Sequence, residues 1–532
     1  MQTLCSFVRI TAMMIFLVHV AGGNLQSSET IHLKGIVVDE NGKPVAGADV
    51  RSGNDWTGGF LNREQWQRSD ENGRFVLSVP TNRITPWQSV YAISPEKERL
   101  AETTPKLKEG VPEIPELTLV LKKARMITGT VTDENGNPIE GALVGGCWEM
   151  PYPNMTMSDK DGNFRFAYPE DGMRTLHQVF AIHKELGMDF IQTEEGRGYR
   201  NETPPDKIKD GPFALKLSKW QIFKIRVVDE QQTPIPGAEV FSWLPRRDDG
   251  KDSINIGSLP NRLFEVVTDA QGVAEVPSIT ERMYYCAACP DEGILMPDGS
   301  RRFFANADKF WKDFDQSEAI PTLVMEKNGI VKGTVKRADG TPIAWSGISV
   351  KRHNACGHGI MRTNAKGDFT HPWGKAGELF DYGVESKLGA APGVFGFDVG
   401  NGDEEKRLDF VLEKGIRLYG TVYNPDGTPS EQYHILLREK CPPSLLETIH
   451  VPLSDSCPPG GCPEGVVIRQ TSDYNEPNSG GKYEYLLPAV QRKYDISVSS
   501  YKNSDVSFEL ENYEVSGNES DIKLDFHLKP RE

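Results

Sequence analysis

Apolar and polar positions alternate with a period of two along most of this chain. The stretches "LKGIVV" (33–38), "ITGTVT" (127–132), "FKIRVV" (223–228), "VKGTVK" (331–336) and "LYGTVY" (418–423) are rich in Val, Ile and Thr. That is the pattern of a half-buried strand. Each runs into a turn of one kind: "DENGKPVAG" from Asp39, "DENGNPIEG" from Asp133, "DEQQTPIPG" from Asp229, "RADGTPIAWSG" from Arg337 and "NPDGTPSEQ" from Asn424. Asp or Asn with Gly supplies the positive φ of a tight connection, and the proline fixes φ where the chain leaves it. In four copies a short second strand follows: "GADV", "GALV", "GAEV" and "GISV".

A second signature follows each turn: "SDENGRFVL" from Ser69, "SDKDGNFRF" from Ser158, "TDAQGVAEV" from Thr268, "TNAKGDFTH" from Thr363 and a looser "SDYNEPNSGGKYEYLL" from Ser472. Alternating strands then close the pattern: "LTLVLKK" from Leu117, "FALKLSK" from Phe213, "PTLVMEK" from Pro321, "LDFVLEK" from Leu408 and "LDFHLKP" from Leu524. No stretch carries a helical period of useful length. The turn prolines Pro44, Pro138, Pro234, Pro342 and Pro429 recur at intervals of 87 to 108 residues. A unit of that size buries a core alone, unlike the shorter units of solenoids and propellers. The expectation is an all-β chain of five tandem small antiparallel β-sandwiches at 31–123, 124–219, 220–328, 329–415 and 416–530, joined by short linkers into an elongated row.

The recurring G-x-V-x-D-x-x-G-x-P-x-x-G-A-x-V followed by S/T-D-x-x-G-x-F resembles the carboxypeptidase regulatory-like domain. That resemblance implies a seven-stranded prealbumin-like sandwich, grouped with carbohydrate-binding-like and immunoglobulin-like folds. The third unit departs from it at Gln232, where the turn glycine is expected, and the fifth at Glu431 and Gln432, where Gly-Ala is expected. The motif specifies a fold and names no reaction. The peptidase domain to which such accessory domains are attached has no counterpart in this sequence.

Arg9 precedes the apolar run "ITAMMIFLVHV", and "AGG" at 21–23 offers small residues for cleavage. The run is too short to span a bilayer, so residues 1–23 read as a secretory signal peptide. The expected location is outside the cytoplasm (periplasmic, cell-surface or secreted), with no membrane insertion after cleavage. A net charge of −16 repels phosphate backbones, so nucleic acid is not an expected partner. Of eight cysteines, Cys5 falls in the signal, and the remaining odd number cannot all pair within one chain.

Cys441, Cys457 and Cys462 bracket the Pro- and Gly-rich "CPPSLLETIHVPLSDSCPPGGC" and are disulfide candidates in an oxidising compartment, as are Cys286 and Cys289 of "CAAC". The latter follows a predicted strand instead of opening a helix, against a thioredoxin-like redox role. "HNACGH" sets His353, Cys356 and His358 within reach of one ion, but no second ligand cluster accompanies them, and a surface loop is the better reading. Asp159, Asp161 and Gly162 imitate the start of a calcium loop without its closing bidentate glutamate. No metal and no cofactor is assigned.

No H-x-x-E pair, H-E-x-x-H, G-x-S-x-G or Gly-rich phosphate loop is present. The expectation is a non-enzymatic binding or adhesion protein whose partner is a carbohydrate or an extracellular protein surface. Its candidate site is "GNDWTGGFLNREQW" of the first unit, where Trp56, Phe60 and Trp66 stand among Asn54, Asp55, Asn62 and Glu64. Sugar C–H faces pack on aromatic rings while hydroxyls need directed polar partners. The bland alternative has Trp56 and Trp66 capping the sandwich core. A structural stalk or spacer is the second function class, and a metal-dependent hydrolase accessory protein a distant third.

Overall fold

The structure, a computed structural model, describes residues 30–52, 66–80, 89–147, 155–170, 176–193, 211–243, 254, 264, 266–280, 284–290, 293–296, 301–302, 304, 307–310, 319–353, 359–401, 405–430, 433–443, 466–471, 480–500 and 506–530. Every regular element named among them is a strand. In the first unit, strand Thr30–Asp39 pairs antiparallel with Arg74–Pro80 and parallel with Leu117–Lys123. Alternation does what the sequence implies: Leu117, Leu119 and Leu121 point into the core while Thr118, Val120 and Lys122 face out. A facing set of strands, Gln67–Arg68, Asp49–Ser52, Val90–Ile93 and Arg99–Thr103, covers the other side, and its last member joins Leu117–Lys123 to give one seven-stranded path. Leu33, Val37, Val50, Phe75, Leu77 and Leu119 fill the space between.

The same plan recurs down the chain. Arg125–Thr132 lies between Asn163–Tyr168 and Phe213–Lys216, and Gln221–Val228 between Val273–Ser278 and Thr322–Val324. Asn328–Arg337 and Ile416–Tyr423 take the same central place further on. The all-β sandwich expectation holds, with one refinement: in each unit the closing strand runs parallel to the opening strand. Parallel neighbours cannot be joined by a hairpin. The chain crosses to the facing sheet and returns before it closes.

The recurring turn is a strand connector stabilised the same way each time. Isolated bridges join Val38 to Pro44, Thr132 to Pro138, Val228 to Pro234, Lys336 to Pro342 and Tyr423 to Pro429. The first carboxylate folds back on the backbone: Asp39 Oδ1 accepts from the N–H groups of Asn41 and Lys43, and Asp133 and Asp229 do likewise. Gln232, the departure noted in the third unit, adopts φ 64°, within the left-handed region where Gly42, Gly136, Gly340 and Gly427 sit. The turn geometry survives loss of its glycine, at the steric penalty a side chain meets there.

The second signature braces the first. Ser158 Oγ accepts from Ala142 N–H at 2.9 Å and donates to Ile139 C=O at 2.6 Å. Ser69, Thr268 and Thr363 make the equivalent pair of bonds in their own units. The glycine of "LKGIVV" has a packing reason as well. Gly35 sits opposite Phe75, Gly129 opposite Phe164, Gly333 opposite Phe369 and Gly420 opposite Tyr483. A Cβ on any of these glycines would press on that ring and on a closing-strand carbonyl. In the third unit Ile225 faces Ala274, so the bulk moves to the other strand.

The expected elongated row is corrected. Trp345 of the fourth unit is 1% exposed and lies in one apolar cluster with Leu33, Val37 and Leu119 of the first. Tyr91, Ile93 and Leu100 of the first unit share another with Ile127, Phe164 and Phe213 of the second. Phe180 and Phe190 of the second pack with Ile254 and Trp220 of the third. Between the fourth and fifth, Gly393 N–H donates to Glu439 at 3.1 Å. Unit surfaces that keep apolar residues gain by covering one another, and the first unit is thereby in contact with both the second and the fourth.

Candidate functional site

Of the residues assigned to a ligand site, Asn54, Asp55, Trp56, Phe60, Asn62 and Glu64 lie outside the described residues, and Trp66 lies within them. The insertion that carries them, residues 53–65, joins Asp49–Ser52 to Gln67–Arg68, which pair antiparallel at Val50 with Gln67. Trp66 is half-buried against the cluster shared by the first two units. The guanidinium of Arg51, itself buried, stands over the indole at 4.5 Å from the ring centroid. A cation on the ring's π face is attracted by its quadrupole and also occupies that face. Trp66 Nε1 is buried without an acceptor among the described residues. Trp66 thus packs as a core-flanking residue at the junction of the first two units.

Of the disulfide candidates, Cys286, Cys289 and Cys441 are described. Cys286 lies in strand Tyr284–Ala288 and Cys289 just beyond it, and no bridge joins them. Three residues of extended chain part their Cα atoms by ~10 Å, beyond the reach of a disulfide. Cys441 is a thiol at the end of strand Tyr433–Lys440. Burial pushes that thiol up to about 11, with the neighbouring Asp381 carboxylate acting in the same direction and Arg492 against it. Cys457 and Cys462 lie outside the described residues.

His353, the first residue of "HNACGH", is buried with Nδ1 2.6 Å from Asp381 Oδ1, which also accepts Gly396 N–H at 2.8 Å. Cys356 and His358 lie outside the described residues. Among the described residues no group of three or more His, Cys, Asp or Glu side chains is placed to hold a metal ion. The calcium-like sequence at Asp159 has another use. Its Oδ1 accepts the N–H groups of Asp161 and Asn163 at 2.9 and 2.8 Å, which shapes the turn. Asn364 makes the same two bonds in the fourth unit without a charge. An uncharged residue in that role is what a backbone-bracing turn allows and a cation site does not favour.

No protein-family model matches the chain, and no curated protein matches it in sequence. Among solved structures it is similar to the Bacillus anthracis TIE protein, at 12% identity over 84% of this chain and 72% of that one, with a TM-score of 0.15. The major pilin subunit BcpA of Bacillus cereus is 10% identical over 73% of this chain and all of its own (100%), with a TM-score of 0.15. A streptococcal ancillary pilin is 11% identical over 54% of this chain and 99% of its own, with a TM-score of 0.17. At such TM-scores these likenesses carry no inference about what this chain does.

Proposed function

We propose that the chain is an exported, non-enzymatic binding or adhesion protein that displays β-sandwich units in tandem. In this reading five units meet near residues 123, 219, 328 and 415, carbohydrate is the favoured ligand class, and residues 53–66 of the first unit are the favoured site. The observation that carries the reading is a division of labour among polar side chains. The recurring Asp, Asn, Ser and Thr are engaged by their own backbone turns. Recognition then falls to what does not recur, and the first unit's insertion is rich in aromatic, carboxamide and carboxylate groups. Arg51 and Trp66, which flank it in sequence, stack on each other.

The test is a glycan and matrix-protein array probed with the mature chain, its Trp56→Ala and Phe60→Ala variants, and Trp66→Ala. Binding that falls with Trp56→Ala or Phe60→Ala in a folded protein supports the site. Trp66→Ala is expected to destabilise the junction of the first two units. A structural stalk is the second reading, favoured by the apolar clusters that units share. Absence of any binding on the array would leave the stalk in front.

A further inference from the structure

The turn that follows the fourth unit's opening strand differs from its counterparts at one residue. Gly47, Gly141 and Gly237 occupy the left-handed region at φ 71°, 78° and 74°, and Trp345 stands in the same place at φ 60°. A bulky L residue is disfavoured there because its Cβ crowds the following carbonyl. The fourth unit's own core does not account for the substitution, since the indole lies in the first unit's apolar cluster. Backbone strain that persists must be held by its surroundings, and here those surroundings belong to another unit.

What holds it is a short strap of the first unit, residues 107–114. Leu107 and Ile114 pack on the cluster that contains the indole. Trp345 Nε1 donates to Val111 C=O at 2.9 Å, and Gly110 N–H donates to Ala344 C=O at 2.9 Å. Glu109 closes the contact, accepting from Ser346 Oγ at 2.8 Å and from Lys387 N–H at 2.9 Å. Gly110 is itself at φ 75°, and a Cβ on it would press into Leu388. On the far side Arg362 Nη1 donates to Trp345 C=O at 2.9 Å.

We propose that the Trp345 turn is a docking site whose occupant is the 107–114 strap of the same chain, and that this clasp keeps the first and fourth units together. Opened, the chain lengthens and bares an indole that no other unit displays at this position. The strap suits the occupant's role because four hydrogen bonds and apolar packing join it to the Trp345 turn and the segment beside it.

The test compares the full chain with Trp345→Gly and Glu109→Ala by small-angle scattering, sedimentation and amide exchange. Trp345→Gly should fold, because three sister turns run on glycine. It should stay monomeric, lose exchange protection at Gly110 and Lys387, and gain about one unit diameter, ~30 Å, in maximum dimension. Glu109→Ala, which leaves the turn's own sequence intact, should lose protection at Lys387. An unchanged dimension with retained protection at Gly110 in Trp345→Gly would overturn the clasp. A dimeric parent that loses Gly110 protection on dilution would also overturn it, by assigning the occupant to a second copy.

Discussion

Replacing Ser158 by Ala removes one oxygen and leaves two backbone groups without a partner. Ala142, whose N–H bonds to Ser158 Oγ, is 0% exposed, and Ser158 itself is 4% exposed, so solvent does not substitute readily. An unsatisfied buried donor or acceptor costs roughly 1–3 kcal/mol, and two together give about 2–6 kcal/mol for the second unit. At the lower end that is roughly a 30-fold change in its folding equilibrium. For a unit of this size it corresponds to a drop of about 10 °C or more in its melting temperature. Amide exchange on the intact chain is the appropriate assay, because a multi-unit protein has no single unfolding equilibrium. Protection should fall in Asn163–Tyr168 and Gln178–His183 and remain in Ile416–Tyr423. Ser158→Thr supplies the control, since Thr268 and Thr363 already do this work. A neutral Ser158→Ala, or a Ser158→Thr equally damaging, would refute the reasoning.

Asp159→Asn should be tolerated, as Asn364 shows, whereas Asp159→Ala should destabilise the turn by about 1 kcal/mol, read as faster exchange at Asp161 and Asn163. Added calcium should leave the unfolding profile of the chain unchanged. Burial against Phe380 and Tyr382 lowers the His371 imidazole to about 4. A depressed imidazole contributes stability that is present above the unfolded value near 6.5 and lost as pH falls from there towards about 4. The fourth unit should therefore weaken by about 3 kcal/mol across that window, and His371→Gln should flatten the profile. The turn carboxylates of Asp133, Asp339 and Asp426 are held below the usual carboxylate range, chiefly by hydrogen bonds from Asn137, Thr341 and Thr428 respectively. Their contribution is present above the unfolded carboxylate value and lost as pH falls through the lower folded one, and an acid titration of the intact chain should show the additional loss there. The Cys441 thiol, pushed up to about 11, should resist alkylation at pH 8 until the fifth unit unfolds.

The strands and turns were legible because they are local. Alternation, Asp-x-x-Gly and the following proline specify a connector within nine residues, and the bridge to each turn proline forms where the spacing places it. Even the departure at Gln232 was visible, and the backbone there keeps the glycine conformation. The direction of the closing strand was not legible, because it depends on which sheet edge the chain returns to. The exchange of Gly35 and Phe75 for Ile225 and Ala274 was in the letters, about 50 residues apart, and becomes meaningful once the two strands are paired. Trp345 offered one clue, an indole where three other copies have glycine. Its partners lie more than 200 residues upstream, and nothing in local pattern connects Val111 to it. Of the ligand candidates, Trp66 packs on the cluster shared by the first two units, and its companions lie outside the described residues.

The parallel pairing of opening and closing strands bears on how a unit carries load. In the first unit Gly35–Asp39 lies beside Leu117–Leu121, running the same way. The chain therefore enters at one pole and leaves at the opposite pole. Tension applied along the polypeptide draws these two strands past each other lengthwise, so the bonds between them are strained together instead of parting one at a time from an end. The same arrangement recurs at Arg226–Val228 with Thr322–Val324 and at Val335–Arg337 with Phe410–Leu412. A tether that exports pulling force from one end to the other would place its mechanical resistance here, in the seam between the first and last strands of every unit.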